Sequence, residues 1–434
     1  MFYLYSIVPA LLMIPVGIYL YFYFKRMVAF FHGDVKRRGV KAALIVLSVA
    51  VALLAANIWG LGAVVVLYGV MFSVIMDVIN FIVCRVHRKR ERRAGAAIAA
   101  DANAGNVDVD GVGVGGVAVG GADVGGVAAD GASADDTDVD GARAGDTGRG
   151  FARWKKVYSC GLVPLLCLAL AMGYGYWNMA HVMETDYTVT TAKNIRQEGY
   201  RIALISDLHF GTTMDAEKLQ ARCDEISAAQ PDLIVLCGDI VDESTTKAQM
   251  QSAARILGAM ASEYGVFYVF GNHDRAWYSD RADFTAQELE ETLISEGIHV
   301  LCDMSYVLND EFTIIGREDR SFFGGSGRKT QAELLAGADT SDFLLLLDHQ
   351  PSELSANAGA GFDLQLSGHT HGGQIWPVGV ISDILGFGEL NYGYEQIGDF
   401  QVIVSSGIAG WGYAVRTGAH SEFVIVDVVP GAPS

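Results

Sequence analysis

The chain has 434 residues, of which 51% are hydrophobic and 19% are charged, and its formal net charge is −19. This length allows two or three domains, and the apolar composition indicates membrane segments rather than a wholly soluble protein. The negative charge argues against a nucleic-acid partner, because phosphate backbones are held mainly by clustered Lys and Arg. It does not exclude a small phosphorylated substrate, since bound cations invert the local potential.

Four apolar stretches in the first 180 residues predict transmembrane helices. They lie at about residues 2–24, 42–56, 62–83 and 157–177. The first is long enough to cross a bilayer at about 1.5 Å of rise per residue, and the second and third are predicted to form a transmembrane hairpin. A signal peptide is the rival interpretation of the first stretch, but Lys25 and Arg26 follow the apolar run instead of preceding it. We therefore expect three transmembrane helices in residues 1–93 and a fourth in residues 151–180.

Basic residues cluster in the loops at 25–41 and 85–93 and again just before the fourth predicted span. Loops rich in Lys and Arg stay in the cytoplasm, so both loops are predicted to be cytoplasmic. With four spans, the chain after Trp177 would lie outside the cytoplasmic membrane. The predicted location is the cell membrane, with several spans and an extracytoplasmic C-terminal domain.

Residues 94–150 consist almost entirely of Ala, Gly, Val and Asp and keep no helical or strand period. Glycine at this density makes ordering entropically costly. The composition predicts a disordered cytoplasmic loop.

Residues 181–434 are predicted to form the C-terminal domain, in which the pattern changes after Tyr200 to short apolar stretches that each end at a polar cluster. The clusters read DLH at 207–209, GDIVD at 238–242, GNHD at 271–274, DH at 348–349 and GHTH at 368–371. Residues at the carboxyl ends of neighbouring strands converge on one crevice, where ligands bind. In Asp-x-His and His-x-His both ligands lie on the same side of an extended segment. Carboxylate, imidazole and amide ligands suit Mn, Fe or Zn better than Ca.

These five motifs, in this order, resemble the calcineurin-like metallophosphoesterase superfamily over about residues 201–428. The continuation GHTHGGQIWP and the membrane anchor are similar to the bacterial membrane-associated subgroup near YkuE and YaeI. The resemblance implies an α/β fold, a four-layer α-β-β-α metallophosphoesterase sandwich, here preceded by four transmembrane helices. It also implies two divalent transition metal ions, Mn, Fe or Zn, as cofactors.

The resemblance further assigns roles to the motif residues. The implied metal ligands are Asp207, His209 and His371 for the first ion, Asn272, His349 and His369 for the second, and Asp239 as the bridge between them. A hydroxide held by the two ions would attack phosphorus in line. His273 would stabilise charge on the phosphate or protonate the leaving oxygen, and Asp274 would orient its imidazole.

Several neighbouring residues have open roles. Asp242 fits a supporting role better than that of a direct ligand, and Asp348 is ambiguous. Arg317 or Arg320 would face a substrate anion or form a surface salt-bridge cluster. Three aromatic residues that follow glycine-rich loops would contact an apolar part of a substrate or close the core, namely Trp376, Trp411 and Tyr413.

The predicted function is hydrolysis of a phosphate ester or pyrophosphate by a membrane-anchored, two-metal phosphoesterase, with phosphodiesters among the substrates. The predicted partners are the lipid bilayer and a phosphorylated small-molecule or lipid-linked substrate, and anchoring favours a lipid-linked or envelope substrate. The resemblance adds glycolipid or nucleotide-lipid pyrophosphates. One alternative is a catalytically silent membrane sensor or interaction protein on the same fold. A metal-dependent nuclease is another alternative, but it conflicts with the acidic charge and the anchor.

Overall fold

The computed structural model describes residues 2–57, 60–104, 137–275, 278–279, 281–322 and 327–431. The chain divides into two compact units. One comprises residues 1–58 and 65–168, and the other comprises residues 59–64 and 169–434.

Five helices occupy the described residues before position 181. They are α1 (Phe2–His32), α2 (Arg38–Leu53), α3 (Leu61–Ala104), α4 (Thr137–Cys160) and α5 (Leu162–Ala180). The break between α4 and α5 falls at Gly161, whose φ of 68° is a left-handed conformation that glycine adopts without strain. The predicted span at 157–177 therefore begins later, at Leu162.

Among the described residues, three helices are long and apolar enough to cross a membrane. The candidate spans are Met13–His32, Leu61–Ala97 and Leu162–Ala180. The predicted span at 42–56 does not reach this length, because α2 has 16 residues. Such a helix is about 24 Å long, whereas the hydrocarbon core is about 30 Å thick. The structure thus supports three of the four predicted spans.

The predicted disordered loop at 94–150 lies partly outside the described residues. Its described ends are helical, since α3 continues to Ala104 and α4 begins at Thr137. Alanine is the strongest helix former, so the Ala-rich continuation of a long apolar helix prolongs it. Residues 105–136 are not among the described residues.

The second unit is built on two six-stranded sheets. Its strands are β1 (Val182–Thr191), β2 (Tyr200–Ile205), β3 (Leu233–Cys237), β4 (Val266–Val269), β5 (His299–Val300), β6 (Met304–Asn309), β7 (Phe312–Gly316), β8 (Phe343–Leu347), β9 (Leu364–Ser367), β10 (Gly393–Ile397), β11 (Phe400–Val404) and β12 (Ser421–Pro430). The first sheet has the order β1-β12-β2-β3-β4-β5 and the second has the order β10-β11-β9-β8-β7-β6. Strands β2, β3 and β4 are parallel, as are β7, β8, β9 and β11.

Besides the end of α5, six helices lie in the described part of this unit. They are α6 (Ala216–Ala228), α7 (Lys247–Gly258), α8 (Ala286–Ser295), α9 (Gln331–Leu334), α10 (Leu354–Ala360) and α11 (Val378–Leu385). Apolar residues of both sheets form a central core, while α6, α7 and α8 cover the outer face of the first sheet and α9 and α10 that of the second. The observed layers are therefore α-β-β-α, and the predicted mixed α/β fold with two sheets is confirmed.

The central strands are apolar on both faces because each sheet is covered on both sides. Every residue of β3 and of β8 is buried. Parallel strands buried in this way read as continuous hydrophobic runs. In β3 and β8 the first polar residues come after the strand ends, which places Asp239 and His349 at the same edge of the two sheets.

Candidate metal centre

Five strand ends deliver the polar side chains that the sequence singled out. Asp207 and His209 follow β2, Asp239 follows β3, Asn272 follows β4, His349 follows β8, and His369 and His371 follow β9. The structure brings all seven together in two groups of potential metal ligands that adjoin at Asp239.

The first group joins one carboxylate and two imidazoles. The Nε2 atoms of His209 and His371 are 3.2 Å apart, and Nε2 of His371 lies 3.5 Å from Oδ1 of Asp207. Oδ2 of Asp239 lies 3.8 Å from Nε2 of His209. Four donor atoms from three strand ends thus surround one point.

The second group shares the same Asp239 oxygen. Oδ2 of Asp239 is 3.1 Å from Nε2 of His349. Oδ1 of Asn272 is 3.2 Å from that Nε2 and 2.8 Å from Nδ1 of His369. One carboxylate oxygen therefore faces both groups, which is the arrangement of a bridging ligand.

Backbone conformation at these positions is unusual. Asp207, His209, Asp239, His369 and His371 all have positive φ, between 41° and 74°. A non-glycine residue in this region costs roughly 1–3 kcal/mol, and such strain clusters at functional sites. Asp and His tolerate it better than bulkier residues do. The surrounding loops therefore hold five predicted ligands in conformations they would not adopt by preference.

Two glycines allow the loops to approach each other. A Cβ atom on Gly271 would lie 2.1 Å from Oδ1 of Asp239, and one on Gly368 would lie 2.3 Å from Oδ2 of Asp207. These distances are far below van der Waals contact. Only glycine leaves room for the two carboxylates.

Buried opposite charges dominate the electrostatics of the site. Burial lowers the pKa of His349, but the carboxylates of Asp239 and Asp207 outweigh it and raise this pKa well above its ordinary value. Burial raises the pKa of Asp239, yet the imidazoles, led by His349, hold it well below its usual range. Nδ1 of His349 donates to the carbonyl oxygen of Cys237 at 2.8 Å, so Nε2, which faces Asp239 and Asn272, is the nitrogen that would bind an ion after losing its proton.

His273 lies beside the two groups. Its backbone N–H donates to Oδ1 of Asp239 at 2.8 Å, and its Nδ1 lies 3.0 Å from Oε2 of Glu243. Burial lowers the pKa of His273, but the hydrogen bond to Glu243 and the charge of Asp239 raise it to about 9. Glu243 is a site residue that the sequence analysis did not single out, and its place directly after the GDIVD motif was the available signal.

The prediction that Asp274 orients His273 is wrong. Its carboxylate instead accepts hydrogen bonds from the backbone N–H groups of Gly271 and Asp239 at 2.7 Å each, Ile240 at 2.9 Å and Val241 at 3.0 Å. Asp274 is fully buried, and side chains of successive residues point in different directions, so it turns inward while His273 turns toward the site. Asp274 therefore joins the β3 and β4 loops.

The acidic and basic residues next to the predicted ligands bind other groups of the protein. Asp242 lies 3.6 Å from Nδ1 of His209, too far for a hydrogen bond, and accepts from the backbone N–H of Ser244 at 2.8 Å. Asp348 is buried and paired with Arg328 at 2.9 Å and with Arg317 at 3.6 Å. Arg317 therefore belongs to a buried ion-pair network and not to the surface.

The donor set fits divalent transition metals. It combines carboxylate, imidazole and amide groups, which suit Mn, Fe and Zn. The nearby thiol of Cys237 takes no part, since its Sγ donates to the carbonyl oxygen of Leu366. With ions bound, each group would supply three protein ligands and share Asp239.

The comparison with protein families agrees with this geometry. Residues 200–373, which hold both groups of ligands, match the family model of the calcineurin-like phosphoesterases. Residues 200–373 form a calcineurin-like metallophosphoesterase domain. This family uses divalent metals, in keeping with the candidate ligands.

Relatives of this metallophosphoesterase domain occur in bacteria and animals. The chain is 28% identical over 272 residues to an uncharacterized metallophosphoesterase of Campylobacter jejuni, covering 61% of this chain and 69% of that protein. It is 28% identical over 277 residues to a transmembrane protein with metallophosphoesterase domain of Danio rerio, covering 60% and 61%. It is 29% identical over 225 residues to the uncharacterized metallophosphoesterase YkuE of Bacillus subtilis, covering 50% and 74%.

These matches cover only part of this chain and only part of each relative. The chain covers 60% of the length of a metallophosphoesterase of Helicobacter pylori and 61% of the Danio rerio protein. The likeness therefore describes the metallophosphoesterase domain and its surroundings.

Proposed function

We propose that this protein is a membrane-anchored phosphoesterase with a dinuclear metal site, which hydrolyses a phosphate ester or pyrophosphate. The observation that carries the proposal is the position of Asp239, whose Oδ2 lies 3.1 Å from Nε2 of His349 in one group and 3.8 Å from Nε2 of His209 in the other. A carboxylate placed between two sets of ligands suits a bridging role.

Bound cations would supply the nucleophile and polarise the phosphate oxygens. The protein residues have distinct tasks around them. Asp207, His209 and His371 would hold one ion, and Asn272, His349 and His369 the other. His273, whose Nδ1 lies 3.0 Å from Oε2 of Glu243, would face the phosphate and donate a proton to the leaving oxygen. The glycines at 271 and 368 leave room for the carboxylates of Asp239 and Asp207.

The membrane anchor bears on the substrate. Three helices are candidates for membrane spans, and α5 ends one residue before β1 of the phosphoesterase unit. A site held this close to a bilayer meets lipid-linked phosphates at a high local concentration. We therefore propose a lipid-linked or envelope substrate and, because of the GHTHGGQIWP sequence, kinship with the YkuE and YaeI subgroup.

The proposed topology is multi-pass, with the phosphoesterase domain on the extracytoplasmic side. It rests on the basic loops at 25–41 and 85–93, both of which the positive-inside rule assigns to the cytoplasm. For both loops to be cytoplasmic, the chain between them must cross the membrane twice, so α2 would have to cross despite its length. The test fuses a reporter that works only in the cytoplasm after Ser434. Activity of this reporter would overturn the topology.

The activity is tested on the full chain in detergent, stripped of metal and then supplied with Mn, Zn, Fe or Mg. We expect metal-restored hydrolysis of bis-p-nitrophenyl phosphate or p-nitrophenyl phosphate, and the preferred ester indicates whether diesters or monoesters are the substrates. Loss of turnover in Asp239→Asn would show that the hydrolytic activity depends on the metal centre. Two bound metals without turnover of either ester would instead favour a silent sensor on this fold, and faster cleavage of DNA would favour the nuclease.

A further inference from the structure

An apolar surface follows the GHTHGG motif. It is formed by the side chains of Trp376, Val378, Val380, Ile381, Ile384, Leu385 and Phe387, which we call the apolar patch. Ile384 and Phe387 are each 77% exposed, and Gly379 is the only buried residue of α11. Asp383 is the single charged residue between Trp376 and Phe387. Apolar surfaces of this kind mark contacts with membranes or partners.

The apolar patch lies close to the end of α5. Both belong to the same compact unit, which includes residues 169–180 of α5. Trp376 donates its backbone N–H to Oγ1 of Thr417 at 3.1 Å. A Cβ atom on Gly175 of α5 would lie 2.8 Å from the same Thr417. One residue thus contacts both the patch and a helix that is long and apolar enough to cross a membrane.

The last turns of α5 also expose aromatic side chains. Tyr176 is 65% exposed and Trp177 is 56% exposed. Tyr and Trp are enriched at the level of the lipid head groups. The apolar patch is therefore anchored beside a segment whose composition is typical of the bilayer interface.

Beneath α11 lies a cavity of about 420 Å³ that reaches the metal centre. Phe387 and Val378 line it, and so do His369, Gln350 and Arg320. The cavity thus offers apolar side chains together with a predicted metal ligand and an exposed guanidinium. Such a mixed lining fits a molecule with an apolar tail and a phosphate head.

We propose that the apolar patch rests in the interfacial layer of the bilayer and presents this cavity to phosphate-bearing lipids. A short helix with one strongly apolar face lies in the plane of the interface and does not span the membrane. The patch carries no basic residue, so burial of apolar surface, and not attraction to anionic lipids, would hold it there. The binding of phosphate-bearing lipids in the cavity rests on the proposed phosphoesterase function, whereas the bilayer contact does not.

The bilayer contact is tested on the full chain in nanodiscs of phosphatidylcholine and phosphatidylglycerol. An environment-sensitive fluorescent amino acid replaces Ile384 in one preparation and Phe387 in another, and lipids with brominated acyl chains act as quenchers. The matched control is Ile294 of α8, which is 56% exposed on a helix that covers the outer face of the first sheet. We expect at least twofold stronger quenching at 384 and 387 than at 294. Equal quenching at the three positions would overturn the proposal, whether or not the protein is an active phosphoesterase.

The binding of phosphate-bearing lipids is tested by inhibition of p-nitrophenyl phosphate hydrolysis in the same nanodiscs. Dodecyl phosphate represents a lipid-borne head group and ethyl phosphate a free one. We expect dodecyl phosphate to inhibit about tenfold more tightly, and the double substitution Ile384→Asp with Phe387→Asp to abolish the difference while Ile294→Asp preserves it. Equal inhibition by both phosphates in the unsubstituted chain would contradict lipid entry along the patch.

Discussion

Nδ1 of His273 lies 3.0 Å from Oε2 of Glu243, and this contact sets the imidazole beside the two groups of metal ligands. The backbone N–H of His273 donates at the same time to Asp239. The side chain proposed to donate the proton is thus tied to the proposed bridging carboxylate through its backbone and to a second carboxylate through its ring.

Glu243→Gln removes the carboxylate charge that orients His273 and raises its pKa. We expect turnover to fall about 10- to 100-fold with metal content unchanged, because residues that support the side chains of a metal site have effects of this size. The pKa of His273, now about 9, would fall, so the alkaline limb of the pH–rate profile would move to lower pH. Glu217→Gln, at an exposed position of α6, is the control. An unchanged profile in Glu243→Gln would remove the assigned role.

The same pair predicts how stability depends on pH in the metal-free protein. The pKa of His273 is raised from its ordinary value of 6.5 to about 9, so the pair stabilises the fold fully below about pH 6.5 and loses this effect as the pH rises through about 9. The unfolding midpoint of the unsubstituted chain should exceed that of Glu243→Gln near neutral pH, and the two should converge above about pH 9. A gap that does not change with pH would contradict the raised pKa.

Asp239 and His273 separate metal binding from proton transfer. Asp239→Asn should lower metal occupancy and turnover together, because it weakens the shared ligand. His273→Ala should keep both metals and slow turnover by about 100- to 10,000-fold, the usual size of a general acid–base contribution. Elemental analysis beside a turnover assay distinguishes the two. Full activity in His273→Ala would remove its assigned role.

Asp274→Asn tests the structural role of this carboxylate. The amide group has one acceptor oxygen in place of two, and its NH₂ would face backbone N–H groups that Asp274 now satisfies. We expect a loss of roughly 2–4 kcal/mol in the free energy of unfolding. Asp224→Asn, at an exposed position, should stay within about 0.5 kcal/mol. Denaturant unfolding that gives the same midpoint for both variants would refute the role.

Gly271→Ala tests the close approach of the loops. The added Cβ would lie 2.1 Å from Oδ1 of Asp239, so the bridging carboxylate must move. We expect weaker metal binding and a loss of roughly 1–3 kcal/mol in unfolding free energy. Gly359→Ala in α10 has nothing within 4 Å and should leave metal binding unchanged. Tight metal binding by Gly271→Ala would show that the approach is not needed.

The sequence predicted the strands and the seven ligand positions well because apolar runs such as Leu233–Cys237 end abruptly at polar residues. It did not predict the partners of Asp274 and His273, since these depend on loop conformations with positive φ at residues such as Asp239. The prediction that residues 42–56 span the membrane relied on apolar composition alone, whereas α2, with 16 residues, is shorter than the hydrocarbon core is thick. The exposure of Ile384 and Phe387 likewise required the tertiary structure, since apolar side chains in a short helix are usually buried.

The most direct test of the dinuclear site is electron paramagnetic resonance of the full chain loaded with Mn²⁺, combined with metal analysis. Two ions that share Asp239 at a separation of about 3.5–4 Å should give two equivalents per chain and an exchange-coupled spectrum, and Asp239→Asn should abolish the coupling. One equivalent per chain, or two uncoupled Mn²⁺ signals, would contradict the dinuclear site.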